Sequence, residues 1–180
     1  ASSGSVLSCR ISYNQASYSA GGIRISGTQV RNCLVSNNTA GRTSSGYVGG
    51  GIQGTGTIVN TTIVRNSATG SGAGVNGNSS TKLWNSIVWG NKNNGVSDNL
   101  NGSSIVCSYS AVEGGYPGTE MVLLDGNNSP MFVNASLIAG ASDSTENADW
   151  HLLDGSVCIN NGSNALGTDD FDLDGTARIK

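Results

Sequence analysis

A nine-residue pattern recurs through the chain as Val6–Asn14 (VLSCRISYN), Val30–Asn38 (VRNCLVSNN), Ile58–Asn66 (IVNTTIVRN), Leu83–Asn91 (LWNSIVWGN) and a degenerate copy, Ile105–Glu113 (IVCSYSAVE). Successive copies begin 24, 28, 25 and 22 residues apart. In the first four copies the first position is Val, Ile or Leu, the sixth is Ile or Val, and the ninth is Asn. Self-similarity at such a period is the signature of a repeat architecture.

Each period reads as about three short strands. The third position is Asn in three copies (Asn32, Asn60 and Asn85), and the apolar phase shifts there by one residue, as it does when a chain turns a corner between two strands. A Gly-led apolar element precedes each later copy. So many Gly, Asn and β-branched residues disfavour a helix. We therefore predict an all-β fold, a right-handed parallel β-helix of about five coils with a C-terminal cap.

Stacked coils place equivalent residues above one another, which predicts ladders of like residues. The predicted ladders are apolar (Val6, Val30, Ile58, Leu83 and Ile105; Ile11, Val35, Ile63 and Val88) and amide (Asn14, Asn38, Asn66 and Asn91). Cys9 and Cys33 share the fourth position and should also stack. We favour free thiols there, because parallel Cβ directions give a disulfide poor geometry. The pattern leaves the disulfide status of Cys107 and Cys158 open.

Charge is distributed unevenly along the chain. Residues 1–97 hold seven Lys or Arg and no acid, and all twelve acids follow from Asp98. Such asymmetry indicates either an anionic partner or attraction between the two ends of neighbouring molecules. We expect no nucleic-acid partner. No apolar run reaches the roughly 18 residues that cross a bilayer, so we also expect no direct membrane insertion.

The periodicity fails after Ser110, and Pro, Met, His and most acids appear. We therefore divide the chain into β-helix coils at 1–112 and a capping segment, packed on the solenoid, at 113–180. Open solenoid ends need caps. Because the first motif begins five residues in, we expect that the chain starts inside a longer solenoid or that another molecule covers that end.

The C-terminal segment resembles that of a known family. The resemblance rests on four stretches: Tyr109–Gly118, Asn128–Asn134, Asp149–Gly162 and Asp172–Ile179. They are similar to the ends of bacterial, Bacteroidetes-type surface β-helix proteins called choice-of-anchor Q domain proteins, and the repeats are similar to pectin-lyase-like coils. This chain departs from the family by stopping at Lys180. The resemblance implies an extracellular or cell-surface location and supplies no catalytic residues.

The repeats offer little that catalysis needs. Polysaccharide lyases and hydrolases built on β-helices use carboxylates, and none precedes Asp98. We assign no catalytic residue. The leading hypothesis is a non-catalytic extracellular scaffold, structural or adhesive, that self-associates through its ends or binds glycan or a surface protein through loops. The alternative is a fragment of a carbohydrate-active β-helix enzyme, a lyase or a hydrolase.

Four smaller features of the sequence bear on possible sites. Asp170, Asp172 and Asp174 match the first half of a calcium loop, which makes calcium a candidate ligand. His151, the only histidine, is expected to pack within the cap. Trp84, Trp89 and Tyr47 are candidates for a sugar-stacking platform, although packing is the commoner role of such residues. Asp143-Ser144-Thr145 is similar to an O-glycosylation motif of Bacteroidetes exported proteins.

Overall fold

The fold is all-β. A computed structural model describes residues 4–41, 48–102, 104–143, 145, 147–167 and 169–178, and Tyr47 and Ser144 lie outside these ranges. No helix occurs in them. In chain order the strands are β1 (Ser5–Leu7), β2 (Arg10–Ser12), β3 (Gln15–Ala16), β4 (Ile23–Arg31), β5 (Leu34–Ser36), β6 (Thr39–Ala40), β7 (Ile52–Val59), β8 (Thr62–Val64), β9 (Ser67–Ala68), β10 (Val75–Asn76), β11 (Thr81–Trp84), β12 (Ile87–Trp89), β13 (Lys92–Asn93), β14 (Val96–Ser97), β15 (Leu100–Asn101), β16 (Val106–Ser108), β17 (Ala111–Glu113), β18 (Gly118–Thr119), β19 (Val122–Leu124), β20 (Phe132–Asn134) and β21 (Asp149–Leu152).

Three sheets form the walls of a parallel β-solenoid. Sheet A has the order β1-β4-β7-β11-β16-β18, with β10 and β15 beside that path. Sheet B has the order β2-β5-β8-β12-β17-β19, and sheet C has the order β3-β6-β9-β13-β14. Apart from β14, each strand of the three sheets pairs in parallel with an equivalent strand one coil away, so these sheet neighbours are distant in sequence. The predicted fold class is therefore confirmed.

The corners between the sheets need left-handed backbone, and Asn supplies it at the first corner. Asn32, Asn60 and Asn85 have φ of 53°, 50° and 48°. Asn tolerates this region better than most residues with a Cβ. The phase shift that the sequence shows at these residues is thus a change from sheet A to sheet B. The second corner, between sheets B and C, holds Asn37 and Arg65 at φ of 55° and 53°.

Inward-facing apolar residues form the core. Sheet A contributes Val30, Ile58 and Leu83, and sheet B contributes Val35, Ile63 and Val88; all six are fully buried. The register pairs Val6 with Val30, Val30 with Ile58, and Ile58 with Leu83. Burying such side chains contributes roughly 1.5–3 kcal/mol each, which makes these ladders the main source of stability.

Two details of the predicted repeat are corrected. Leu83 pairs with Cys107 and not with Ile105, so the fifth copy begins at Cys107. The solenoid completes about four turns instead of five, because the fifth coil lacks a parallel strand in sheet C. There β14 folds back antiparallel on β13. Parallel pairing nevertheless continues to Leu124 in β19, beyond the predicted boundary at 112, and the division into two domains stays a prediction.

Close approach explains the Gly that opens each coil. A Cβ on Gly51 would lie 2.8 Å from the carbonyl oxygen of Gly74 and 2.9 Å from Nδ2 of Asn66. Gly22 and Gly74 are equally crowded by the next coil and by the neighbouring Asn side chain. The Gly stack and the Asn ladder therefore pack directly on each other.

The described residues between 129 and 178, here called the strap, run along the side of the solenoid over sheet B. The strap contacts coils from Arg10 in β2 to Asn85 beyond β11. Residues that point outward from sheet B are buried beneath it, including Leu34 at 5% exposure and Val64 at 0%. Outward residues of sheet A such as Lys82 stay exposed. The predicted cap is thus a lateral cover instead of a plug at one end.

Candidate functional site

The Asn residues of the first corner also anchor the strap. Asn85 Nδ2 donates to the Ser163 carbonyl at 2.8 Å, and the Ser163 amide donates back to Asn85 Oδ1 at 2.8 Å. Asn32 Oδ1 accepts from Arg178 Nη2 at 2.8 Å, and Asn60 Nδ2 donates to Asp169. Asn therefore has two roles at this corner. Its backbone forms the turn between sheets A and B, and its side-chain amide hydrogen-bonds outward to the strap.

Two ion pairs join the basic coils to the acidic strap. Arg31 Nε lies 2.9 Å from Asp169 Oδ1, with both side chains about one-fifth exposed. Arg10 pairs with Asp174 in a more exposed position. The charge asymmetry of the sequence is thus partly compensated within one molecule.

The strap is fixed at the second corner as well. Buried Asn37 donates from Nδ2 to Ser136 Oγ at 2.9 Å, to the Ile138 carbonyl at 3.2 Å and to Asp143 Oδ2 at 3.2 Å. The Gly140 amide donates to the Arg65 carbonyl at 2.7 Å. The strap is therefore hydrogen-bonded along both edges of sheet B.

An aromatic wedge lies between these edges. Phe132 packs edge-on against Trp89 and Trp150, with ring centroids 5.8 and 5.1 Å away. The Arg65 guanidinium stacks 4.4 Å from the Trp89 centroid, and burial lowers its pKa, although Glu113 and Asp143 oppose that shift. Trp84 belongs to sheet A and lies beneath Lys82, so Trp84 and Trp89 form no common platform.

Two open cavities lie between the strap and the outer face of sheet B. One, of about 550 Å³, is lined by Thr62, Ile87, Tyr109 and Asn164 among others. The other, of about 530 Å³, is lined by Leu34, Trp150 and His151 among others. Asn60, Thr62, Leu152 and Arg178 line both, so the cavities are neighbours along the solenoid axis. We call the two together the seam.

His151 is exposed at the seam and does not pack inside the strap as predicted. Its Nε2 lies 2.9 Å from Asp174 Oδ2, and its Nδ1 contacts Asp149. Hydrogen bonds to Asp149 and Asp174 raise the pKa of His151, and hydrogen bonds from His151 lower the pKa of Asp149. The cluster therefore favours a charged imidazolium between two carboxylates.

The three Asp residues of the half calcium loop have other partners. Asp172 Oδ1 accepts from the amides of Asp174 and Thr176 at 3.0 and 2.7 Å, and the Asp170 carbonyl accepts from the Arg178 amide. Asp174 binds Arg10 and His151. Across the described ranges, no three His, Cys, Asp or Glu residues are grouped so as to hold a metal ion. Calcium binding at this turn stays a prediction, which calorimetry would test.

The Asn ladder runs through the interior and has a direction. In each step the earlier Asn donates from its backbone amide and its Nδ2 to the Oδ1 of the next, from Asn14 to Asn38, Asn66 and Asn91, at 2.8–3.0 Å. Asn91 continues to Asn99, which the sequence pattern missed.

Glu113 ends the ladder. Its Oε2 accepts from Asn99 Nδ2 at 2.9 Å, from the Gly90 amide at 3.0 Å and from Ser97 Oγ at 3.1 Å. Burial alone would raise the pKa of Glu113, but these hydrogen bonds and nearby Lys92 lower it overall. The carboxylate takes the place of the acceptors that a further coil would offer.

The cysteines carry free thiols. Cys9 and Cys33 occupy equivalent positions beside the paired strands β2 and β5, and their sulfurs contact the carbonyls of Leu7 and Arg31. Burial raises the pKa of Cys33 and raises that of Cys107 to about 12. Such thiols stay protonated and are poor nucleophiles.

The Asn ladder could be predicted from the sequence, but the seam could not. Its walls join residues far apart in the chain, such as Asn32 and Arg178, which no local pattern connects. Complementary charge was the available signal, since only the C-terminal part holds acids that could pair with Arg10 and Arg31.

Comparison with protein-family models, curated proteins and solved structures gives no match. In the described part of the chain no helix is both long and apolar enough to span a bilayer.

Proposed function

We propose that the protein is a non-catalytic extracellular scaffold with a structural or adhesive role, a rigid β-solenoid segment that holds glycan or protein at its surface. The observation that carries this proposal is that several acidic side chains make contacts within the fold. Glu113 ends the ladder, Asp169 pairs with Arg31 and Asn60, and Asp143 accepts from Asn37. These carboxylates are committed to holding the fold together.

A second candidate is glycoside hydrolysis at the seam. Asp149 and Asp174 flank His151 at one cavity, and two carboxylates are the usual equipment of a hydrolase. A general acid needs a raised pKa. The pKa of Asp149 is instead lowered by His151, and Asp174 also pairs with Arg10. The geometry therefore favours binding over hydrolysis.

Parallel assays of binding and turnover would test the proposal. The chain is incubated with a panel of polysaccharides, and new reducing ends and unsaturated products are measured, while glycan arrays record binding. We expect no turnover. Turnover that disappears in both Asp149→Asn and Asp174→Asn, while Asp154→Asn at an exposed site keeps it, would establish the hydrolase and refute the scaffold proposal.

A further inference from the structure

The seam is a preformed space. The Asn85–Ser163 hydrogen bonds hold the strap at one edge of sheet B, the Asn37–Ser136 hydrogen bond holds it at the other edge, and Phe132 rests on Trp89 between them. These contacts fix the distance between the strap and sheet B. Cavities of about 550 and 530 Å³ lie within the range of roughly 300–1,000 Å³ that small-molecule sites occupy.

The floor of the seam is a straight row of outward residues, one from each coil. The register aligns Leu34 with Thr62, Thr62 with Ile87, Ile87 with Ala111 and Ala111 with Val122. Leu34 and Ala111 are buried, whereas Thr62, Ile87 and Val122 are partly exposed, so the accessible part of the row spans three coil spacings of about 4.8 Å, about 14 Å in all. An elongated ligand that lies along the solenoid axis therefore fits the floor.

Uncommitted polar groups lie in and beside this floor. The side chains of Thr62, Tyr109 and Asn164 line the seam and hydrogen-bond to none of the residues that the structure describes. Trp150 adds an aromatic face at the other cavity. Hydroxyl and amide groups beside apolar and aromatic surface suit a ligand that carries both hydroxyls and C–H faces.

Charged side chains at the seam already have partners within the protein, which disfavours an ionic ligand. Arg10 and His151 pair with Asp174, Asp169 pairs with Arg31, and Arg178 donates to Asn32 and to the Phe171 carbonyl. An extended peptide is also a poor fit, because the face of a sheet offers no main-chain partners, unlike its edge.

We propose that the seam binds a short, linear, uncharged oligosaccharide. This inference rests on the proposed scaffold function and gives it a site: sugar C–H faces pack on the partly exposed row from Thr62 to Val122 and on Trp150, and hydroxyls bond to Thr62, Tyr109 and Asn164. The ligand is held without being cleaved.

Calorimetry and saturation-transfer NMR would test this on the whole chain. The probes are linear oligomers of glucose, xylose, mannose and N-acetylglucosamine, with a uronic-acid oligomer and an extended peptide of similar length for comparison. We expect one or more neutral oligomers to bind, with saturation transfer to their ring C–H protons, and the uronic-acid oligomer and peptide to bind more weakly.

Two substitutions locate the site. Thr62→Phe projects a ring from the centre of sheet B into the space where the two cavities meet and should weaken binding at least about tenfold. Thr57→Phe, the same change on the outward face of sheet A, should leave the affinity within about twofold. Tyr109→Phe removes one hydroxyl only and should weaken binding without altering thermal stability.

The outcomes separate this inference from the scaffold proposal. Absence of binding by every neutral oligomer, binding that Thr62→Phe leaves unchanged, or stronger binding of the uronic-acid oligomer or the peptide would overturn the seam site and leave the scaffold standing. Cleavage of a bound oligomer would instead overturn the scaffold.

Discussion

Asn66 lies in the middle of the ladder with every side-chain hydrogen bond inside the solenoid. Its Oδ1 accepts from the amide and Nδ2 of Asn38, and its Nδ2 donates to the Val35 carbonyl and to Asn91 Oδ1. Asn66→Ala removes all four hydrogen bonds and leaves the buried amide and Nδ2 donors of Asn38 without an acceptor. We expect the free energy of unfolding to fall by about 2–4 kcal/mol in chemical denaturation.

The matched control is Asn164→Ala, at an exposed residue whose side chain bonds to none of the described residues. It should change stability by less than about 0.5 kcal/mol. Equal losses in the two variants would show that the ladder adds no stability beyond that of any Asn.

The lowered pKa of Glu113 leads to a prediction about how the stability of the protein depends on pH. Because its folded pKa is below the ordinary 4.5, its contribution is present above that value and is lost as the pH falls through the folded pKa. Glu113→Gln keeps a carbonyl acceptor but cannot titrate. We expect wild type to be the more stable protein near neutral pH and the difference to shrink on acidification, as measured by denaturation across pH.

Glu120→Gln is the control, since Glu120 is exposed near the same end. Its stability should follow that of wild type at every pH. If Glu113→Gln also did so, the carboxylate would not be what closes the ladder.

At the scale of elements, the two ion pairs that attach the strap differ in burial. Arg31–Asp169 is mostly shielded from solvent, whereas Arg10–Asp174 is exposed. Removing one partner of a shielded ion pair leaves the other charge without a partner, whereas exposed ion pairs contribute little to stability. Asp169→Asn should lower the free energy of unfolding by about 1–3 kcal/mol, and Asp174→Asn by less than about 1 kcal/mol.

Hydrogen exchange would show where the loss occurs. In Asp169→Asn, strap amides such as Ser163 should exchange faster, while ladder amides such as Asn66 keep their protection. Faster exchange throughout the solenoid would contradict a strap that detaches as a unit.

The strands were predictable and the attachment of the strap was not. Alternating apolar residues, corner Asn and crowded Gly recur in successive coils, so the pattern in the sequence reveals sheets A, B and C directly. The fifth copy was misaligned because Ile105, just before β16, and Cys107, within it, are two residues apart and both lie in the core. Strap contacts such as Asn37–Ser136 depend on how distant segments dock, which no period encodes.

At the scale of the whole molecule, the strap partly neutralises the basic coils within the same chain. The sequence indicates that a basic front and an acidic back could attract each other between molecules. In the structure Asp169 and Asp174 fold back on Arg31 and Arg10 of the same chain. The two ends also differ: Asn14 begins the ladder among the described residues, and Glu113 closes it. If copies associate end to end, we therefore expect strand edges to contribute more than charge.

This makes a prediction about salt. Attraction between exposed charges is screened over a Debye length of about 8 Å at physiological ionic strength, so charge-driven association would strengthen as salt is removed. Because the charges of Arg10 and Arg31 are satisfied internally, we expect the sedimentation coefficient at a fixed protein concentration to be the same at low and high salt. A rise at low salt that Arg24→Gln abolishes would show that free basic residues attract acids of a neighbouring molecule. Association that is independent of salt would point to main-chain pairing at the edges formed by β1, β2 and β3.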